Sequence, residues 1–579
     1  MPMPAVTEKE TKTDNPQIHI PMNHKLTVYC QNLNEYVEIS GGDTLTDIWL
    51  RIRHRLDFTP ICGNVNNKSE SMSFPIYAPK TIEFKPRTSA SGSRTYIRSL
   101  CMMLYHAVHH TMPGARLRIE HSLSRGYYCR ITGGDASMEA DRLSEILLRH
   151  MRQLRDRDIP FERLEQRTPD VIEIFRQQGL ADKVLLLDSL HELYTVYYRL
   201  DGLSDSYYGP LAPSTGLIDT FDLIPYKQGF LLLGFSDTDQ SAAQTPVEQE
   251  KMYRAFTDHL AFNHTVGVSN VGELNRAVAA GESPMLINVA EALHNNRIAS
   301  IADEITRRYR NGGARVVMVA GPSSSGKTTF TKRLAIQLMT NLLEPKMISL
   351  DDYFVNRENT PLDESGEYDY ESLYALDLPT FNDHLNSLIA GKEVELPYYN
   401  FETGSRQYRG HRIHLGDNSI LLIEGIHGLN PELTAHVPDH MKYRIYVSAL
   451  TTIAIDDHNW IPTTDNRLLR RIIRDDKYRG VSPTDTIRRW PSVRRGEERW
   501  IFPYQENADA MFNSSLLFEL GVMKQHADKL LERVPHDVEE YCEAARLRRF
   551  LSYFASISEE FIPSTSLLRE FLGGSSFKY

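Results

Sequence analysis

Residues 314–342 read ARVVMVAGPSSSGKTTFTKRLAIQLMTNL, and this stretch decides the fold of the C-terminal half. Val316, Val317, Met318 and Val319 form an apolar, mostly β-branched run with the length of a buried strand. The run breaks at Gly321-Pro322-Ser323-Ser324-Ser325-Gly326-Lys327-Thr328, which satisfies G-x-x-x-x-G-K-[ST]. Phe330, Leu334, Leu338 and Leu342 then recur four apart, predicting a helix with one apolar face. Strand, glycine loop and helix start are the setting of a phosphate loop. Glycines let successive backbone N–H groups wrap an anion, and the positive end of the helix dipole adds to the attraction. Gly321, Ser323, Ser324, Ser325, Gly326, Lys327, Thr328 and Thr329 are therefore expected to hold a nucleotide. Lys327 reaches the β- and γ-phosphates, and the Thr328 hydroxyl holds Mg²⁺.

The bulk properties exclude several classes. A chain of 579 residues holds three or four domains, and 41% hydrophobic with 24% charged residues is ordinary for a soluble globular protein. A net charge of −11 supplies no global attraction to nucleic acid or anionic membrane, so such binding needs a local patch. No apolar run approaches membrane-spanning length, and the polar start MPMPAVTEKETKTDNPQ is no signal peptide. The five cysteines (Cys30, Cys62, Cys101, Cys129, Cys542) are scattered without C-x-x-C spacing, which argues for reduced thiols in a cytoplasmic protein.

In chain order, residues 1–22 read as a disordered tail. KLTVYCQNLNEYVEIS predicts two strands, DTLTDIWLRIRHRL an amphipathic helix capped by Asp43 or Thr44, and TIEFK a further strand. Together they predict a β-grasp unit at 23–88. Ser89–Ser93 reads as a linker, 94–240 as an α+β region, and 241–313 as a polar stretch followed by bridging helices. Residues 314–579 read as a doubly wound, mostly parallel α/β domain. In that domain KMISL ends in Asp351 and SILLIEG carries Glu424, so two strands place carboxylates where ligands lie in open α/β sheets.

Three family resemblances follow from these stretches. Residues 23–88 resemble the TGS module of threonyl-tRNA synthetases and some GTPases. IRSLCMMLYHAVHHTMPGARLRI, SRGYYCRI and DSYYGPLAPSTGLIDTFDLIPY occur in the order of the second additional, editing domain of threonyl-tRNA synthetase. The editing ligands of that family are mostly absent. Its H-x-x-x-H pair falls on Met102 and His106, and its C-R-G-P-H on Tyr207-Tyr208-Gly209-Pro210-Leu211. His106 and His110 are spaced i, i+4 beside His109, but no third ligand is legible, so surface or partly buried histidines are the expectation there. The resemblance implies a domain retired to binding or assembly.

GPSSSGKTTF, ISLDDYF, EYDYESLYALDLP, ELPYYNFETGSR, ILLIEGIHGL and DNRLLRRIIRDDKYRG resemble uridine kinases and phosphoribulokinases in order, over 314 to about 525. That resemblance implies Asp351 as the base taking the 5′-hydroxyl proton, Asp369 on the ribose hydroxyls, and Tyr399 and Arg406 at the acceptor. It places Thr328, Glu424 and Asp351 on the metal side. It also implies ATP and Mg²⁺ as cofactors and a nucleoside, uridine- or cytidine-like, as acceptor. Gly404 stands where uridine kinases place a histidine in Y-D-F-x-x-H-S-R, which puts pyrimidine preference in question. Arg467, Arg471 and Arg474 fall at i, i+4, i+7, and Arg471 with Arg474 is expected to clamp the transferring phosphoryl group. The expected protein is a nucleoside kinase with no membrane partner, its oligomeric state open. The alternatives are a sugar kinase of the phosphoribulokinase type and an ATP-dependent RNA-binding switch, which would use the front half and the later arginines near Trp490 and Trp500.

Overall fold

The computed structural model describes residues 25–134, 138–364 and 366–578, so the expected tail at 1–22 lies outside the described residues. β1 (Lys25–Cys30) and β2 (Glu35–Ser40) form a hairpin, followed by α1 (Leu45–Ile52). Thr44 caps α1: its hydroxyl accepts from the Asp47 N–H, and Asp47 accepts from the Thr44 N–H. With β3 (Cys62–Val65), β4 (Lys68–Glu70) and β5 (Thr81–Lys85), the sheet runs β2-β1-β5-β3-β4, and only β1 and β5 are parallel. Leu45 and Ile48 of α1 pack on Val28, Ile82 and Phe84 of that sheet.

The linker expected at 89–93 is instead the start of α2 (Ala90–Thr111). The Ser89 hydroxyl accepts from the Gly92 N–H at 3.1 Å, and a Cβ at Gly92 would lie 1.9 Å from the Pro86 carbonyl oxygen. Serine and glycine serve here as a cap and a close approach, the structured use of residues that also favour linkers. α2 is buried along most of its length. Around it lie β6 (Arg116–Leu123), β7 (Gly126–Thr132), α3 (Ala140–Arg157), β8 (Glu162–Arg167), α4 (Thr168–Gln177), α5 (Ala181–Leu190), β9 (Tyr194–Leu200), β10 (Leu203–Asp205), β11 (Asp222–Tyr226) and β12 (Gly229–Leu233). They build two antiparallel sheets, β11-β12-β7-β6 and β10-β9-β8.

Three helices follow: α6 (Glu250–Val266), α7 (Val271–Ala279) and α8 (Ser283–Arg310). The next strand, β13 (Val316–Ala320), leads through the glycine loop into α9 (Lys327–Thr340) and β14 (Glu344–Ser349). After α10 (Leu378–Ile389), the hairpin β15 (Val394–Asn400) and β16 (Ser405–Ile413) precedes β17 (Ser419–Glu424) and β18 (Lys442–Ser448). α11 (Thr463–Arg479), α12 (Pro483–Trp500), β19 (Ala510–Asn513), α13 (Glu519–Leu531), α14 (Tyr541–Ser552) and α15 (Arg569–Leu572) complete the chain. The sheet β14-β17-β13-β18-β19 is parallel throughout. Alternate β13 residues feed different cores. Val317 and Val319 pack with Ile298, Ile305, Phe330 and Leu334, whereas Val316 and Met318 pack with Ile348, Phe381 and Leu385.

Three expectations change here. α7 and α8 share the core of the parallel sheet, so the helices ahead of residue 314 are part of that body. Leu342 lies beyond the end of α9 at φ +65 and is 79% exposed, so the buried stripe ends at Leu338. The last strand region, expected over 508–523, is a strand only at 510–513. No helix among the described residues is long and apolar enough to cross a membrane.

The front half meets the parallel-sheet half through a buried ion cluster. Lys183 of α5 lies 2.8 Å from Asp205 and 2.9 Å from Asp456, and His458 Nδ1 lies 2.8 Å from Asp205. All four side chains are essentially inaccessible to water. Burial alone would lower the Lys183 pKa, but Asp205 and Asp456 raise it above the ordinary value, so the ammonium stays charged. Removing one partner strands a buried charge, so Lys183→Met is expected to destabilise the protein by about 3–5 kcal/mol in denaturant unfolding. A loss under about 1 kcal/mol would show that the cluster does not join the halves.

Candidate active site

β14, β17 and β13 are neighbours, and Glu424 pairs in register with both Ser349 and Val319. The glycine loop after β13, Asp351 just beyond β14, and Glu424 at the end of β17 therefore share one sheet edge, the edge where ligands sit in this architecture. The loop is tightly wound. A Cβ at Gly321 would lie 2.0 Å from the Val447 carbonyl oxygen, and Gly326 caps α9 at φ +82. The Ser324 and Ser325 hydroxyls are buried without partners among the described residues. Lys327 Nζ donates to the Pro322 carbonyl at 3.3 Å and lies 4.0 Å from Glu424 Oε1. Thr328 Oγ1 donates to Glu424 Oε2 at 3.5 Å. Unsatisfied buried donors around an ammonium fit a polyphosphate, and a hydroxyl beside a carboxylate fits Mg²⁺, a hard cation that takes oxygen ligands.

Two carboxyls at this edge are strongly perturbed. Burial pushes Glu424 up to about 7, with Asp351 and Glu570 adding to the rise and Lys327 opposing it. Glu371 is likewise pushed up to about 7, first by burial and then by Glu497, against Arg471 and Lys327. Its Oε2 is buried without a partner. Sequence reading singled out Asp369 in the same EYDYE segment. Asp369 is only half-buried and accepts from the Glu371 N–H at 3.1 Å, while Glu371 is the acid whose pKa responds to Lys327, Arg471 and Asp351. Nothing in the spacing of that loop distinguishes the two.

The arginine helix divides differently from its periodicity. Arg467 is buried, paired with Glu497, donates to the Ser323 carbonyl at 2.9 Å and lies over the Trp490 ring. Arg470 is also buried, bonded to Glu519 and Ser514 and reaching the Ser324 carbonyl at 3.4 Å. These two brace the phosphate loop, so the expected stripe of Arg467, Arg471 and Arg474 is replaced by a cluster of Arg471, Arg474 and Arg479. All three meet Asp475, at 3.3, 2.7 and 3.7 Å. Burial works against the Asp475 charge, but the three guanidinium groups hold its pKa below the usual carboxylate range. One carboxylate among three cations leaves a surplus of positive charge. Arg471 also donates to Ser323 Oγ at 2.9 Å, which places that surplus beside the loop. Among the later arginines expected as an RNA patch, Arg488 pairs with Asp485 and Glu540, Arg494 with Glu497 and Glu498, and Arg495 with Asp363, while Arg489 is exposed and Arg499 is exposed over the Trp500 ring.

Three residues beyond Asp351, Phe354 belongs to an aromatic cluster. Tyr399 packs on Phe354 at 5.6 Å and Phe401 at 5.1 Å, and Tyr370 lies 6.3 Å from Phe354. The Tyr399 hydroxyl is buried without a partner among the described residues. Arg479 sits 5.9 Å over the Phe401 ring, so the aromatic cluster adjoins the arginine cluster. Arg406 is held by Asp377 at 2.6 Å. Gly404 adopts φ +67, and a Cβ there would lie 2.7 Å from Arg357 Nε. Arg357 fills the space a side chain at 404 would need; it donates to the Phe401 carbonyl at 2.6 Å, and its buried Nε has no partner.

Two acids absent from sequence reasoning touch the loop itself. Glu497 Oε1 accepts from the Ser323 N–H at 3.2 Å. Glu570 Oε2, from α15 near the chain end, accepts from the Thr329 N–H at 3.2 Å and from Thr329 Oγ1 at 2.6 Å. A carboxylate at a helix N-terminus occupies the place that suits a phosphate. Elsewhere, His150 of α3 supplies the third imidazole that sequence reading did not find: His106, His110 and His150 bring ring nitrogens within 4.8 Å of one another. His106 Nδ1 and His150 Nε2 lie in hydrogen-bond contact at 3.0 Å.

Comparison with known proteins finds similarity over the same half of the chain. Residues 316–516 match the Phosphoribulokinase / Uridine kinase family model. A uridine kinase from Bacillus pumilus is 28% identical over 195 residues, covering 34% of this chain and 83% of that relative. One from Staphylococcus aureus is 29% identical over 195 residues, covering 34% of this chain and 84% of the relative. The solved D-glycerate 3-kinase from Cryptococcus neoformans is 14% identical with a TM-score of 0.22, covering 49% of this chain and 90% of that one. The C-terminal half thus carries a P-loop kinase-like domain, similar over residues 316–516 to the Phosphoribulokinase / Uridine kinase family.

Two outcomes follow from the charges. A buried carboxyl with a pKa near 7 is protonated below that pH and then offers no charge to a cation. Mg²⁺ affinity of the nucleotide-free protein is thus expected to fall about tenfold from pH 8 to pH 6 in calorimetric titration, with Glu424→Gln flattening the profile. Glu570→Gln removes a competing anion and is expected to tighten ATP binding by roughly tenfold, the size of one charge-assisted hydrogen bond of about 1.5 kcal/mol. Unchanged affinity in equilibrium dialysis would remove Glu570 from the binding equilibrium.

Proposed function

We propose that this protein is a nucleoside kinase that transfers the γ-phosphoryl group of Mg-ATP to the 5′-hydroxyl of a uridine- or cytidine-like acceptor. The observation that carries the reading is one sheet edge with phosphate loop, Asp351 and Glu424 side by side, with the aromatic cluster of Phe354 three residues beyond Asp351. Asp351 accepts the hydroxyl proton as the oxygen bonds to the γ-phosphorus; the bond to the β-phosphate oxygen breaks, and ADP leaves. Lys327 and the loop amides hold the phosphates, and Arg471, Arg474 and Arg479 stabilise charge on the transferring group. Mg²⁺ held by Thr328 and Glu424 would neutralise charge on the polyphosphate. Tyr399, Phe354 and Phe401 form an apolar slot suited to a planar base, with Asp369 toward the ribose. Arg357, which packs against Gly404, takes over the donor role that a histidine fills in uridine kinases.

The front half supports a separate reading. The mixed sheet β2-β1-β5-β3-β4 over one helix supports a TGS-like β-grasp module at 25–88. At the synthetase-like positions Met102, Tyr207 and Leu211 are buried core side chains, which supports a domain without editing chemistry. We read its role as assembly with the kinase body, and cytoplasmic residence as the setting.

The test is ADP release with Mg-ATP against a panel of nucleosides and sugar alcohols. Turnover with one nucleoside is expected, reduced at least a hundredfold in both Lys327→Ala and Asp351→Asn. Turnover with a sugar alcohol alone would favour the phosphoribulokinase type, and acceptor-independent ATP hydrolysis indifferent to Asp351→Asn would overturn the kinase reading.

A further inference from the structure

A cavity of about 1020 Å³ lies between the front half and helices α13 and α14. None of the phosphate-loop residues, Asp351 or Glu424 lines it, so it is separate from the kinase edge. Its walls carry eight cationic side chains against five anionic ones, a surplus of three positive charges in a protein whose net charge is −11. At one wall Arg98 of α2 is 5% exposed and meets no carboxylate within ion-pair distance among the described residues. Its guanidinium lies 4.7 Å over the Tyr208 ring, and a Cβ at Gly209 would fall 2.3 Å from its Nη1, so the side chain is packed in place. A buried guanidinium without a counter-charge is costly unless an anion reaches it.

The neighbouring groups sharpen the chemistry. Arg546 binds Asp465 through both Nη atoms at 2.7 and 2.8 Å and binds Glu543 at 2.6 Å, while Arg94 reaches Glu543 at 3.2 Å. Three arginines against two carboxylates leave one positive charge, and it resides at Arg98. Planar guanidinium forks at one end suit phosphate oxygens. Six tyrosines line the same cavity, among them Tyr194, Tyr541 and Tyr553, and offer rings for a base to stack on. We propose that the cavity binds a nucleotide, with its phosphate on Arg98 and Arg94 and its base among the tyrosines. The volume is that of a small-molecule site. The site also has a mechanical route to the kinase edge. Asp465, held by Arg546, stands in the first turn of α11, two residues before the Arg467 that donates to the phosphate-loop carbonyl of Ser323.

Calorimetric titration of the full chain with UMP and AMP, beside inorganic phosphate and an RNA hairpin bearing a free 3′ end, tests the proposal. In a Lys327→Ala background, where the phosphate loop is disabled, one mononucleotide is expected to bind with 1:1 stoichiometry. Arg98→Gln in that background is expected to weaken this binding at least tenfold. Arg94→Gln, at a more exposed position, is expected to weaken it severalfold, and it decides the matter if Arg98→Gln fails to fold. Mononucleotide binding absent at millimolar concentration, or unchanged in the folded arginine variants, would overturn the proposal. So would equal affinity for inorganic phosphate, which would mean an anion site without base recognition, or binding confined to the RNA. Because the readout is binding in a catalytically disabled chain, failure of the kinase reading leaves the result interpretable.

Discussion

The buried cluster of Lys183, Asp205, Asp456 and His458 is the constraint on which the relation between the two halves rests. Taking four ionisable groups out of water costs several kcal/mol each, and the cost is offset only when every partner is in place. Such a cluster tolerates one relative placement of its contributors: α5 and β10 from the front, and the loop after β18 from the back. That loop continues directly into α11. A cluster that fixes its beginning therefore also fixes where Arg467, Arg470 and Arg471 meet the phosphate loop.

A second regularity is how the loop satisfies its donors within the protein alone. Glu497 and Glu570 bring carboxylates to the amides of Ser323 and Thr329, while the hydroxyls of Ser324 and Ser325 have no partner among the described residues. Part of the loop's affinity for anions is thus met by the chain's own acids and part is left open. A polyphosphate entering the loop exchanges one set of charge-assisted bonds for another, and the net gain is smaller than a count of its contacts implies.

The kinase edge was legible where chemistry sits at a fixed offset from a recognisable element. The glycine loop, Asp351 and Glu424 each follow an apolar run, and the parallel sheet brings those ends together whatever the intervening loops do. Legibility failed where burial decides. Arginines at helical spacing look alike in sequence, yet Arg467 and Arg470 face a core and Arg471 and Arg474 a cleft. Glu371 and Asp369 stand two residues apart in an irregular segment with no periodicity to separate them. His150, Glu497 and Glu570 act across 40 or more residues of chain, a distance over which a single sequence carries no pairing signal. The linker assigned to 89–93 failed for a related reason: serine and glycine also serve as a helix cap and a close contact.

The left-handed glycine at 404 constrains which substitutions the site accepts. Its place is shared with Arg357, so a histidine introduced there alone would meet both an unfavourable backbone angle and an occupied volume. The two positions are coupled in one direction: a side chain at 404 needs space that Arg357 fills, so a larger residue there requires Arg357 to move or shrink first.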